Sequence, residues 1–161
     1  MHDPIVHGMN PELLAYICPK ILISTLIGFM IGYFRESQGK PSGIKTHVLL
    51  CVGTTLFTAS GFLIASSFPN TDVSRIIGQI VTGIGFLGAG NIYKSQDKVN
   101  GLTSAAFVWF VAALGVLCGL GGYALSLGLT VFFIIFTSIV SRFERKHFHT
   151  GRDIRNDSIS K

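Results

Sequence analysis

Residues 83–88 read Gly-Ile-Gly-Phe-Leu-Gly, the spacing with which a glycine loop admits the pyrophosphate of a dinucleotide. That chemistry needs a strand leading into a helix. Here the glycines lie inside an uncharged apolar run, residues 76–93, so the spacing points to close helix packing instead. Gly78, Thr82, Gly85 and Ala89 line one face of that run, with Gly88 beside them. Small side chains let two backbones approach, which drives association in lipid, where burial itself supplies little. Gly28 with Gly32, and Gly115 with Gly119, repeat the spacing. The third run is the most glycine-rich, and its face is expected to sit at the centre of a bundle.

The titratable residues are few. His47, after Lys45 and Thr46, could carry a proton near neutral pH, although a structural hydrogen bond is its plainer role. Asp72 precedes Arg75 by three residues, so the two can pair on a helix, or Asp72 can cap it. Gln79 lies deeper, where an amide in lipid must find a partner. Cys18, Cys51 and Cys118 have neither C-x-x-C nor zinc-ligand spacing and read as small apolar residues. Neither H-E-x-x-H nor G-x-S-x-G occurs, and Asp72 is the sole acid between Glu36 and Asp97. No catalytic residue, metal site or cofactor is expected, and an enzyme is disfavoured. His2 with His7, and His147 with His149, have weak metal-ligand spacing near the ends.

These residues must be positioned by membrane helices. The chain has 161 residues, is 48% hydrophobic and 13% charged, and has mean hydropathy +0.54. Residues 48–68, 76–93 and 101–141 carry no charge. A spanning helix takes about 20 residues, so the last run should make two, turning at Gly119-Leu120-Gly121-Gly122. A first span is expected from near Pro19, with Lys20 snorkelling to the interface. The fold class is therefore an all-α membrane protein, a bundle of about five transmembrane helices. Residues 1–19 form an outer N-terminal segment, 20–141 the transmembrane domain and 142–161 a short basic tail. With the C-terminus in the cytoplasm, eleven Lys and Arg residues lie inside and only Lys20 and Arg75 outside, as the positive-inside rule favours. The basic residues 142–146 abut a span and show no nucleic-acid reader motif, so they suit lipid headgroups. Cys18 and Cys118 share the outer side, and this topology permits a disulfide between them.

In order along the chain, Ile31-Gly32-Tyr33-Phe34-Arg35-Glu36, Gly43-Ile44-Lys45-Thr46-His47, Ser74-Arg75-Ile76, residues 83–90, Gly101-Leu102-Thr103-Ser104 and residues 112–121 resemble the MgtC/SapB family of bacterial inner-membrane proteins. The resemblance covers roughly residues 20–125, the family's hydrophobic domain. Phe34 stands where the family commonly has glutamate, Lys45 where it has arginine, and Val73 where it has proline. Many members carry a further soluble domain, and the 20 residues after the last span are expected to be too few for one.

The resemblance implies a non-enzymatic regulator, associated with growth in low magnesium, survival inside macrophages and restraint of the proton-translocating ATP synthase by contact within the membrane. The candidate functional positions are Arg35, Glu36, Lys45, Thr46, His47, Asp72, Arg75, Gln79, Asn91, Thr103 and Cys118, with Asn91 and Cys118, by the match to the family motifs, the first to test. Partners are the bilayer, another membrane protein and a second copy, with a dimer favoured; nucleic acid is not among them. The rival expectation is a transporter or channel for Mg²⁺ or protons.

Overall fold

The computed structural model describes residues 11–68, 70–95 and 98–148. Five helices follow one another: α1 (Pro11–Ser37), α2 (Ile44–Ser67), α3 (Val73–Gly90), α4 (Leu102–Gly119) and α5 (Tyr123–Phe148). All five are long and apolar enough to cross a membrane. The shortest, α3 and α4, have 18 residues. At about 1.5 Å per residue they match a hydrocarbon layer about 30 Å thick. Between them lies an antiparallel hairpin, β1 (Tyr93–Ser95) and β2 (Lys98–Asn100), with Tyr93 opposite Asn100.

Two features of α1 differ from expectation. It starts at Pro11 and keeps Pro19 in its interior, because the apolar residues from Leu13 to Ile17 continue the span. Lys20 does not snorkel: it is only 4% exposed. The 1–19 segment is thus helical from residue 11. The basic tail is also helical as far as Phe148. His2, His7 and His149 lie outside the described residues.

By its contacts the chain falls into two compact units, Met1–Thr130 and Val131–Lys161. In the first, α2 packs against α1, α3 and α4, and glycines set the two closest approaches. A Cβ on Gly28 would lie 2.6 Å from the Val48 Cα, and one on Gly32 2.5 Å from the Ile44 Cα. A Cβ on Gly115 would overlap the Thr54 hydroxyl, and one on Gly119 would lie 2.8 Å from the Thr55 carbonyl oxygen. Each G-x-x-x-G pair therefore seats its helix, α1 or α4, directly on the α2 backbone. The core between them is Ile27, Ile31, Cys51, Val108, Val111 and Leu114, all buried.

The turn into α5 comes where the glycines predict it, with Gly121 at φ +89°. Ser126 then donates to the Gly122 carbonyl at 2.9 Å, and Thr130 to that of Ser126 at 2.7 Å. In the second unit, α5 exposes Phe132, Ile135, Phe136 and Ile139. Its Thr137 and Ser138 hydroxyls bond back to the Phe133 and Ile134 carbonyls at 2.6 and 2.7 Å.

Span three is not the centre of the first unit. Only Ile80, Ile84 and Gly88 of α3 are buried, and Gly78 and Gly85 would have nothing within 4 Å of an added Cβ. Ala89 is exposed as well. Of the small residues expected to pack there, Gly88 alone faces a neighbour, the Ala105 carbonyl 3.7 Å from its Cβ position. The reason lies in the Ile80–Ile84 side of the helix: those larger side chains supply the seam, which turns the small face outward.

Candidate functional site

Polar side chains collect at the two ends of the α1–α2–α4 core, and hydroxyls run between them. At one end Arg35, in the last turn of α1, is 2% exposed. Its Nη2 donates to the Ser104 hydroxyl at 2.5 Å, and its guanidinium carbon lies 4.5 Å from the centre of the Phe107 ring. Both partners lie on the first turns of α4. Glu36 is exposed and turns instead to α2, where its Oε2 accepts from the Ile44 amide at 3.0 Å. The carboxylate thereby caps a helix whose own N-cap, Gly43, supplies no side-chain bond, and it meets the positive end of the helix dipole.

His47 is fully buried. Its Nδ1 lies 2.9 Å from the Gly43 carbonyl oxygen, so Nδ1 carries the hydrogen and donates. His47 Nε2 and Arg35 Nε are buried without a partner among the described residues. Lys45, Thr46 and Thr103 are exposed at the same end. Asn91 ties two connections together: its Nδ2 donates to the Leu87 carbonyl at 3.0 Å, and its Oδ1 accepts from the Ser42 hydroxyl at 2.6 Å. Ser42 itself sits at φ +64°.

At the other end Lys20 crosses from α1 to α4 and donates to the Gly119 carbonyl at 2.9 Å. Its ammonium lies 4.4 Å from the Tyr16 ring centre and 5.7 Å from that of Tyr123. A cation on the last carbonyls of a helix suits the dipole. Cys118, buried, donates to the Lys20 carbonyl at 3.5 Å. All three cysteines are free, and Cys18 is exposed, so the Cys18–Cys118 disulfide is not formed. Between the ends, Thr54 and Thr58 bond back to carbonyls of α2, and Thr55 crosses to the Gly115 carbonyl at 2.9 Å. Each hydroxyl is satisfied, as an apolar interior demands.

Asp72 lies apart. It caps α3 as expected, accepting from the Ser74 amide at 2.9 Å and the Ser74 hydroxyl at 2.6 Å. The Ser74 bonds hold its carboxyl below the usual range, and the Arg75 charge adds to the shift. Arg75 and Gln79 are exposed. Beside them, an apolar groove of about 340 Å³ between α3 and α4 is lined by residues that include Ile77, Ile80, Ile84, Trp109 and Ala113.

The structure thus brings Arg35 together with Ser104 and Cys118 together with Lys20, whereas the Asp72 bonds stay within the first turn of α3. Lys20 as a clamp was missed in the sequence. Its signal was available: a lone cation followed by a long uncharged stretch must find either the interface or a carbonyl.

Comparison with known proteins decides the family. Residues 21–146 match the MgtC family. The chain belongs to it. Within the MgtC family it is 35% identical over 139 residues to a protein of Escherichia coli strain K12 called putative magnesium transporter YhiD, covering 81% of this chain and 65% of that one. It is 39% identical to protein SapB of Bacillus subtilis strain 168, covering 74% of this chain and 56% of SapB. It is also 39% identical to protein MgtC of Brucella abortus strain 2308, covering 71% of this chain and 47% of that protein. The chain therefore spans about half to two-thirds of the length of these relatives. No solved structure matches it. Family membership and five apolar helices make it a multi-pass protein of the bacterial inner membrane.

Proposed function

We propose that this MgtC-family protein is a non-enzymatic membrane regulator that works by helix contact with another membrane protein, its Arg35 end in the cytoplasm. The observation that carries this reading is the sign of the charges inside the bundle. The buried charged side chains among the described residues are Lys20 and Arg35, both cations. A divalent cation stripped of water wants several hard oxygen ligands, and a path through this core would lead it past two positive groups. Contact surface, by contrast, is present: α3 turns Gly78, Gln79, Thr82, Gly85 and Phe86 outward. A lipid-facing amide such as Gln79 gains by meeting a donor and acceptor on another helix.

The setting this supports is adaptation to low magnesium or to life inside a host cell, with the ATP synthase as the first interaction to test. A second copy of the chain, as a dimer, is the alternative occupant of the α3 face. Transport of Mg²⁺ or protons is the rival reading, and the name of the Escherichia coli relative favours it. Crosslinking through a photoreactive residue at position 82 in native membranes separates the two. A trapped subunit or second copy is expected, with no Mg²⁺ or proton flux in reconstituted liposomes. Flux that Glu36→Gln or Asp72→Asn abolishes would overturn the regulator reading.

A further inference from the structure

Among the described residues, no anion lies against the buried cation at the Arg35 end. Its contacts are a hydroxyl, Ser104, and a ring, Phe107. Both belong to the start of α4, so the guanidinium lies against the positive end of that helix. The first amides of α4 need acceptors, yet its N-cap is Gly101, in a left-handed conformation and with no side-chain bond. The neighbouring carboxylate does not help, because Glu36 is committed to the α2 amide of Ile44. Arg35 Nε remains buried without a partner among the described residues. A buried charge without a counter-ion is costly, and two positive elements set side by side raise that cost.

We propose that this end binds a phosphate oxyanion, taken from the headgroup of an anionic phospholipid, between the Arg35 guanidinium and the first turn of α4. Helix N-termini accept phosphate through their free amides, and the guanidinium fork matches its oxygens. The depth is that of headgroups. Arg35 is two residues from the end of α1, and Tyr33 and Tyr93 are exposed near this end, where aromatic side chains mark the interface. Leu102 and Thr103 are exposed, so the first turn of α4 is open to that layer, and Lys45, exposed at the same end, adds positive charge. Phosphatidylglycerol carries such a phosphate and serves as the probe. The inference goes beyond the contact reading and does not rest on it.

The test is lipid titration of the purified full-length protein in detergent, read by native mass spectrometry with phosphatidylglycerol as the probe. The wild type is expected to keep one tightly bound lipid, and Arg35→Gln to bind it about tenfold or more weakly, the scale of a charged hydrogen bond. Lys40→Gln, on the exposed loop, should bind as the wild type. A second arm measures thermal stabilisation by inorganic phosphate in lipid-free detergent, with chloride as the control. Stabilisation that depends on Arg35 supports the site with free phosphate as its source, whereas a response to phosphatidylglycerol alone supports the headgroup. If Arg35→Gln does not fold, Ser104→Ala carries the test, since it removes only the hydroxyl that holds the guanidinium against α4. Unchanged binding of both probes by whichever variant folds overturns the proposal.

Discussion

Two sets of glycines in this molecule share a spacing and have opposite surroundings. Gly28, Gly32, Gly115 and Gly119 lie against the α2 backbone so closely that a single added carbon would collide with it. Gly78 and Gly85 on α3 meet nothing within 4 Å. Four-residue spacing of small residues therefore shows that a face can be approached closely, and leaves open by what. In the core the approach is made by the chain's own α2. On α3 no described residue makes it.

The comparison makes a prediction with a sign. Gly28→Ala and Gly115→Ala should destabilise the protein by about 1–3 kcal/mol through overpacking. Gly85→Ala should leave stability unchanged or raise it by up to about 1 kcal/mol, the difference in helix propensity. Thermal unfolding in detergent distinguishes the two sets, and equal losses at both would break the comparison. Next in size is Lys20→Met, which leaves the last turn of α4 without its cation and should cost about 1–3 kcal/mol by the same measurement. Gly85→Leu should then change no stability but weaken association: crosslinking or single-molecule counting in membranes should show fewer complexes, and an unchanged distribution would leave the α3 face without a partner. The smallest effect is expected at Asp72. Its carboxyl is held below the usual range, so its cap is fully present at neutral pH and is lost as pH falls below about 4. Asp72→Ala should lower thermal stability slightly at neutral pH and change little below about pH 4, which flattens that acid-side decline.

The five spans were legible because charge is excluded from lipid: uncharged runs, broken by the glycine turn at residues 119–122, mark out helices almost directly. The start of α1 was less so. Pro19 and Lys20 look like a boundary, and only the buried position of Lys20 against the Gly119 carbonyl shows that the helix runs through them. The β1–β2 hairpin gave little signal, since Lys94, Ser95, Lys98 and Asn100 have no apolar alternation. At the site, family motifs pointed to Arg35, Glu36 and His47, but not to their division of labour. Which of two adjacent charges caps α2 and which is buried against α4 depends on how α1 is rotated. A sequence of nearly continuous apolar residues does not fix that rotation. The same ambiguity concealed which side of α3 faces its neighbours.

The hydrogen bond between Lys20 and Gly119 spans 99 residues. When α1 leaves the ribosome, the carbonyl that will receive its ammonium does not yet exist. Until α4 is made, the first helix has to keep Lys20 in water or among headgroups. The fourth helix thus releases the start of the first from the membrane surface, and deeper docking of that end of α1 becomes a late event in biogenesis, timed by the arrival of α4.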